Sequence, residues 1–200
     1  MKLEKSDRRL LIWAGVILLP LIIILAVLSD EQEKSAVPST YSAQSQGAKA
    51  AYLLLKEEGY AVERWENSPA DLPQDQRAAH TVLVLAVPTA SPNRDERNQL
   101  QTFAARGGRI IAVGLSAAAF LGPAEVESEP VRLPDGKEYQ PELLTDITRG
   151  GAIAISPAGY WKHSGTSYLV HYADGTRPIV VSYKIGKGEV IWWAASTPLT

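Results

Sequence analysis

TVLVLAVPTASPNRDERNQLQTFAARGGRIIAVG, Thr81 to Gly114, is the stretch whose reading decides the fold. Val82 to Val87 form an unbroken β-branched and aliphatic run. It is apolar on both faces and too short for a buried helix, which predicts an interior parallel strand. Pro88 ends the run. Asn93 is placed to cap a helix over Arg94 to Arg106, Asp95 and Glu96 suit the positive end of its dipole, and Gly107 supplies a left-handed residue beyond its C-terminus. Arg109 to Val113 returns as a second apolar strand. Strand, helix and strand with short connections make a right-handed βαβ unit, so an α/β layer structure is expected around it.

On the N-terminal side, Tyr60 to Trp65 alternates and reads as a strand, with Tyr60, Val62 and Arg64 on one face and Ala61, Glu63 and Trp65 on the other. Before it, Ala48, Ala51, Tyr52 and Leu55 recur at helical spacing and Gly59 follows, which predicts an amphipathic helix over about Ser45 to Glu58. Asn67 to Ala79 reads as loop.

At the start of the chain, Lys2, Lys5, Arg8 and Arg9 precede Leu10 to Leu28, nineteen residues without a charge. A helix of that length covers nearly the ~30 Å of a bilayer's hydrocarbon core. The expectation is an uncleaved single-pass anchor at the cell membrane over 10–28, with 1–9 cytoplasmic, 29–40 a tether and 41–200 an extracytoplasmic domain. A cleaved signal peptide is the alternative, although its apolar core is ordinarily shorter and no small-x-small site follows Leu28. Membrane-protein partners follow from that placement.

On the C-terminal side, Ser116 to Leu121 reads as a short helix. Glu125 to Gln140 is an excursion in which Asp135-Gly136-Lys137 turns a small hairpin. Ser167 to Ala173, Pro178 to Tyr183 and Glu189 to Ala195 are β-rich runs joined by Asp174-Gly175 and Gly186-Lys187-Gly188, and predict antiparallel strands. The last of these is apolar on both faces, and the sequence stops just beyond it at Thr200, so the native product is expected to continue.

The 200 residues hold one domain beside the apolar run, and a net charge of −2 without an internal basic run argues against nucleic acid as a partner. The absence of cysteine excludes disulfides, thiolate zinc sites, a cysteine nucleophile and a lipid-modified cysteine. No cofactor and no metal are expected.

Three segments carry a resemblance: SAQSQGAKAAYLLLKEEGYAVERW (42–65), HTVLVLAVPTASPNRDERNQLQTFAARGGRIIAVG (80–114) and RPIVVSYKIGKGEVIWWAASTPLT (177–200). In this order, with Gly47, Gly59-Tyr60, Gly107-Gly108 and Gly186-Lys187-Gly188, they resemble the DUF4350 family of membrane-anchored proteins. That family is similar in fold to class I glutamine amidotransferases and ThuA-like proteins. The resemblance spans about Ser39 to Thr200 and implies a transmembrane helix followed by an amidotransferase-like, flavodoxin-like α/β domain. That domain would have parallel central strands and a C-terminal antiparallel β-hairpin extension. It assigns no chemistry, and the amidotransferase cysteine has no counterpart in this sequence.

Candidate site residues lie at the expected carboxyl edge of the sheet, where α/β folds place ligands. Pro88, Thr89, Ser91 and Asn93 follow the first strand and Ser116 follows the second. Ser116 in Gly114-Leu115-Ser116-Ala117-Ala118 has the setting of a nucleophile elbow, or else caps the helix that begins there. His80 precedes the first strand at the opposite end. His163, His171 and Asp174 are a conceivable base or metal pair, and Glu125, Glu127 and Glu129 share one side of an extended segment. Solvated or structural roles are the simpler account of both sets. Trp161, Tyr160 and Tyr168 read as the lid of a core. The expected function is a non-catalytic binding or assembly module of unknown ligand. The alternatives are a hydrolase with Ser116 as nucleophile, and an accessory subunit of a membrane transport or AAA-type chaperone assembly.

Overall fold

The structure, a computed structural model, describes residues 39–43, 47–122, 124–128, 136–163, 167–196 and 199, with the backbone alone at His163. The chain divides into two units between Ala36 and Val37, and every described residue belongs to the second. Its elements in order are helix α1 (Lys49–Glu57), 3-10 turns at Pro69–Asp71 and Gln76–His80, β1 (Val82–Ala86), α2 (Arg94–Ala105), β2 (Arg109–Val113) and α3 (Leu115–Ala118). There follow β3 (Glu125–Ser128), β4 (Lys137–Tyr139), β5 (Ile153–Ile155), β6 (Gly159–His163), β7 (Tyr168–Asp174), β8 (Arg177–Ile185) and β9 (Gly188–Trp193).

One five-stranded sheet in the order β1-β2-β9-β8-β7 organises the domain. The apolar runs at 82–86 and 109–113 pair in parallel, and β9 pairs in parallel on the other side of β2, with Ile111 opposite Ile191. Tight turns at Gly175 and Gly186, both with positive φ, then make β7, β8 and β9 an antiparallel meander. Two small antiparallel pairs, β3 with β6 and β4 with β5, stand beside the main sheet.

The core follows from these runs. Helix α2 buries Leu100, Phe103 and Ala104, while Ile179 to Tyr183 of β8 are buried without a break. Each such aliphatic side chain contributes ~1.5–3 kcal/mol relative to exposure. Trp192 of the central strand is fully buried, its ring centroid 5.4 Å from that of Trp161, and its indole N–H donates to the Gly114 carbonyl at 3.1 Å. Trp161 also meets Tyr168 and Tyr183, so it fills the interior as expected of a core lid. Burial pushes the Tyr183 phenol's pKa upward, and its hydroxyl donates to the Leu121 carbonyl at 3.3 Å.

The expected fold class is corrected. In place of a transmembrane helix followed by a flavodoxin-like domain with parallel central strands and an antiparallel hairpin extension, the described residues form a mixed α/β domain dominated by strands, with few helices, whose antiparallel strands belong to the main sheet itself. Tyr60 to Trp65, expected as a further strand, joins no sheet. The Arg64 guanidinium stacks on the rings of Tyr41 and Tyr52 at 4.1 and 4.2 Å and donates to Thr40 Oγ1 and the Thr40 carbonyl, which holds the segment in irregular backbone. Helix α1 buries none of its residues, and Leu53, Leu54 and Leu55 are exposed. The expected transmembrane helix over 10–28 lies outside the described residues, and among those no helix is long and apolar enough to cross a membrane. Lys137 to Tyr139 pairs with Ile153 to Ile155 rather than folding back locally as the Asp135-Gly136-Lys137 signal suggested.

Candidate functional site

The parallel strands β1 and β2 end side by side, and the chain leaves both through unusual backbone. Val87 has φ of 43°, a region that β-branched side chains almost never occupy, and its N–H donates to the Val113 carbonyl at 3.0 Å. Gly114 beside it has φ 84° and ψ 171°, a conformation essentially reserved for glycine. A Cβ there would stand 3.0 Å from Val87 Cγ2. The Gly114 N–H donates to the Trp193 carbonyl at 2.8 Å while its own carbonyl receives the Trp192 indole, so the turn is fixed on both sides by the central strand.

Gly114 is the N-cap of α3, and no side chain caps that helix. Ser116 therefore does not have the capping role offered for it. It lies one residue inside the helix, exposed, where its carbonyl accepts from the Ala119 N–H at 3.3 Å. Asn93 does cap: its side chain accepts from the Glu96 N–H at 2.9 Å and Glu96 Oε2 accepts from the Asn93 N–H at 2.8 Å, a closed capping box that commits both groups. Thr89 and Ser91 are exposed, Pro88 half-buried, and the Pro92 carbonyl accepts from Arg97 at 3.2 Å.

Beside α3 lies an open groove of about 560 Å³. Leu115, Ala119 and Val126 supply apolar lining, and Glu125, Glu127 and Lys162 supply charge. The sequence marked Glu125 and Glu127 as a carboxylate row but gave no sign of this groove, because it forms only when α3 meets β3. Glu129 lies outside the described residues.

His80 and His171 stand away from this edge. His80 precedes β1 at the opposite end, and only the backbone of His163 is described. His171 on β7 is fully buried, with Nδ1 3.0 Å from Thr145 Oγ1 and Nε2 2.9 Å from the buried Ser182 Oγ. Burial holds its pKa below the usual value, opposed by Glu189. Thr148 extends the cluster, accepting from the Thr145 N–H at 2.8 Å and donating to the Leu143 carbonyl at 2.6 Å. Hydroxyl, imidazole and hydroxyl in series have the spacing of a nucleophile and base. Sealed under the 141–151 loop they pin that loop to the sheet, assisted by Tyr172 Oη donating to the Gly151 carbonyl at 2.6 Å.

Asp174 forms ion pairs with Lys137 at 2.7 Å and Arg177 at 3.1 Å, and Lys137 above all holds its carboxyl below the usual range. It does not join His171 as a metal ligand, and among the described residues no group of three or more His, Cys, Asp or Glu side chains is placed to hold a metal. Sequence reading missed Thr145, Thr148 and Ser182. The available signal was Ser182 inside the apolar run Ile179 to Tyr183, since a buried hydroxyl demands a partner.

A family model described as "Domain of unknown function (DUF4350)" matches residues 40–200. No curated protein matches the chain. Among solved structures, the mmIFT52 N-terminal domain is similar with a TM-score of 0.55 at 14% identity, covering 78% of this chain and 80% of that one. Cytoplasmic Protein STM1381 from Salmonella typhimurium LT2 gives a TM-score of 0.50 at 16% identity, covering 73% and 75%. A beta-galactosidase from Bacillus circulans sp. alkalophilus gives 0.45 at 16% identity, and the match covers 58% of this chain and only 20% of that enzyme. At these identities the first two likenesses speak to fold alone.

Proposed function

The chain belongs to the DUF4350 family, and from that premise we propose that it is a non-catalytic binding and assembly module that meets a protein partner at the carboxyl edge of β1 and β2. The observation that carries the reading is Val87. A β-branched residue at φ 43° is strained by ~1–3 kcal/mol, such strain gathers at functional sites, and this one sits at the sheet edge where α/β folds bind their ligands. The adjoining groove combines an apolar floor with a charged rim, the anatomy of a protein interface. The groups best suited to chemistry are engaged elsewhere: Asn93 in its capping box, His171 between Thr145 and Ser182.

The test compares proteins that co-purify with the full chain and with two variants. Ala119→Arg sends a long cation across the groove from an exposed position and should lose companions that the wild type retains. Ser116→Ala should keep them and change stability by less than about 0.5 kcal/mol, as expected of an exposed residue that caps nothing. Covalent labelling of Ser116 by a serine-directed fluorophosphonate, absent in Ser116→Ala, would replace this reading with a hydrolase.

A further inference from the structure

Among the described residues, β1 ends the main sheet and no strand pairs with its outer edge. In a parallel ladder the N–H and C=O of one residue point to the same neighbouring strand and those of the next residue point the other way. The Thr81 carbonyl accepts from the Arg109 N–H at 3.1 Å and the Val87 N–H donates to the Val113 carbonyl at 3.0 Å. Odd-numbered residues from Thr81 to Val87 thus serve β2. The backbone groups of Val82, Val84 and Ala86 point outward, and among the described residues no backbone hydrogen bond reaches them.

Proteins ordinarily blunt such an edge with a lysine, a proline, a bulge or a covering segment. VLVLA has no charge, proline or bulge, and Val82 and Val84 are 50% and 42% exposed. Tyr60 to Trp65, the segment whose pattern suited it for a neighbouring strand, pairs with no strand.

We propose that β1 pairs edge to edge with β1 of a second copy of this chain, antiparallel about a two-fold axis at Val84, joining two sheets into one. The axis sets Val84 opposite Val84 and Val82 opposite Ala86, each a pair that exchanges two backbone hydrogen bonds using only the groups left open in one copy. Charge favours a second copy as the occupant. From Thr81 to Asn93 no residue carries a charge, so two copies crossing antiparallel meet no like-charge repulsion, and a partner steered by charge finds nothing complementary on this strand.

The edge allows a selective test. Val84→Pro removes an outward N–H and leaves the β1–β2 ladder its bonds, which Leu83 and Leu85 carry. Sedimentation of the full chain should show a reversible dimer, weakened about tenfold or more by Val84→Pro through the two hydrogen bonds lost at the axis. Val84→Lys, which sets two cations against each other there, should act the same way and stands in if the proline variant does not fold. Amide exchange at Val82, Val84 and Ala86 should slow as wild-type concentration rises. A monomer at every concentration overturns the proposal. So does a dimer that both variants leave intact, or protection of these amides only when a different protein is added.

Discussion

At the scale of single residues, His171 is the group whose environment converts most directly into a measurable property. Its ring is hydrogen-bonded on both nitrogens by hydroxyls, which satisfy the neutral form in either tautomer. Burial is the larger influence and lowers its pKa from the ordinary 6.5. The unfolded chain therefore binds more protons at this ring than the folded one as pH falls below that value, so stability declines through this window and gains nothing from the ring above it. Asp174 acts separately, because Lys137 lowers its pKa from the ordinary 3.8 and its contribution is lost only in stronger acid. Urea midpoints should fall between about pH 7 and about pH 5. His171→Leu should flatten that slope while costing about 1–3 kcal/mol at neutral pH, because Thr145 and Ser182 lose a partner.

At the scale of elements, legibility tracked how local the deciding interactions are. The helix over Arg94–Ala105 is readable because its start depends on nearby residues: Asn93 is the cap that the sequence offers, and Glu96, read there only as suiting the dipole, closes a capping box with it. Asn93→Ala should cost ~0.5–2 kcal/mol in denaturant unfolding. Glu96→Ala should cost less in that background than alone, since the two groups act as one unit. Tyr60 to Trp65 failed as a strand for the opposite reason. Its alternation is real, but what holds Arg64 is an aromatic and hydrogen-bonded clasp to Tyr41, Tyr52 and Thr40, which no local window contains. Ser116 was legible in place but not in role. The glycine before it takes the N-cap at φ 84°, and glycine offers no side-chain signal for that choice.

At the scale of the whole molecule, sheet order was the least legible property, because it sets β9 between β2 and β8. The pair Val113–Trp193 joins positions eighty residues apart in the numbering, and Trp192 reaches back to Gly114 across nearly the same span. That arrangement governs the order in which the molecule comes into being. During synthesis β1, α2 and β2 emerge early with one flank of the sheet missing, and β7 and β8 follow as a hairpin that cannot join them. The strand that unites the halves leaves the ribosome after both. Refolding should accordingly fall in the slow range of about milliseconds to seconds typical of non-local topologies, as stopped-flow fluorescence would record. A chain ended after Lys187 should show no cooperative unfolding by circular dichroism. Until Trp192 arrives, nascent chains carry two open sheet edges where the finished domain has its centre, so synthesis is the interval in which this protein most needs a chaperone's cover.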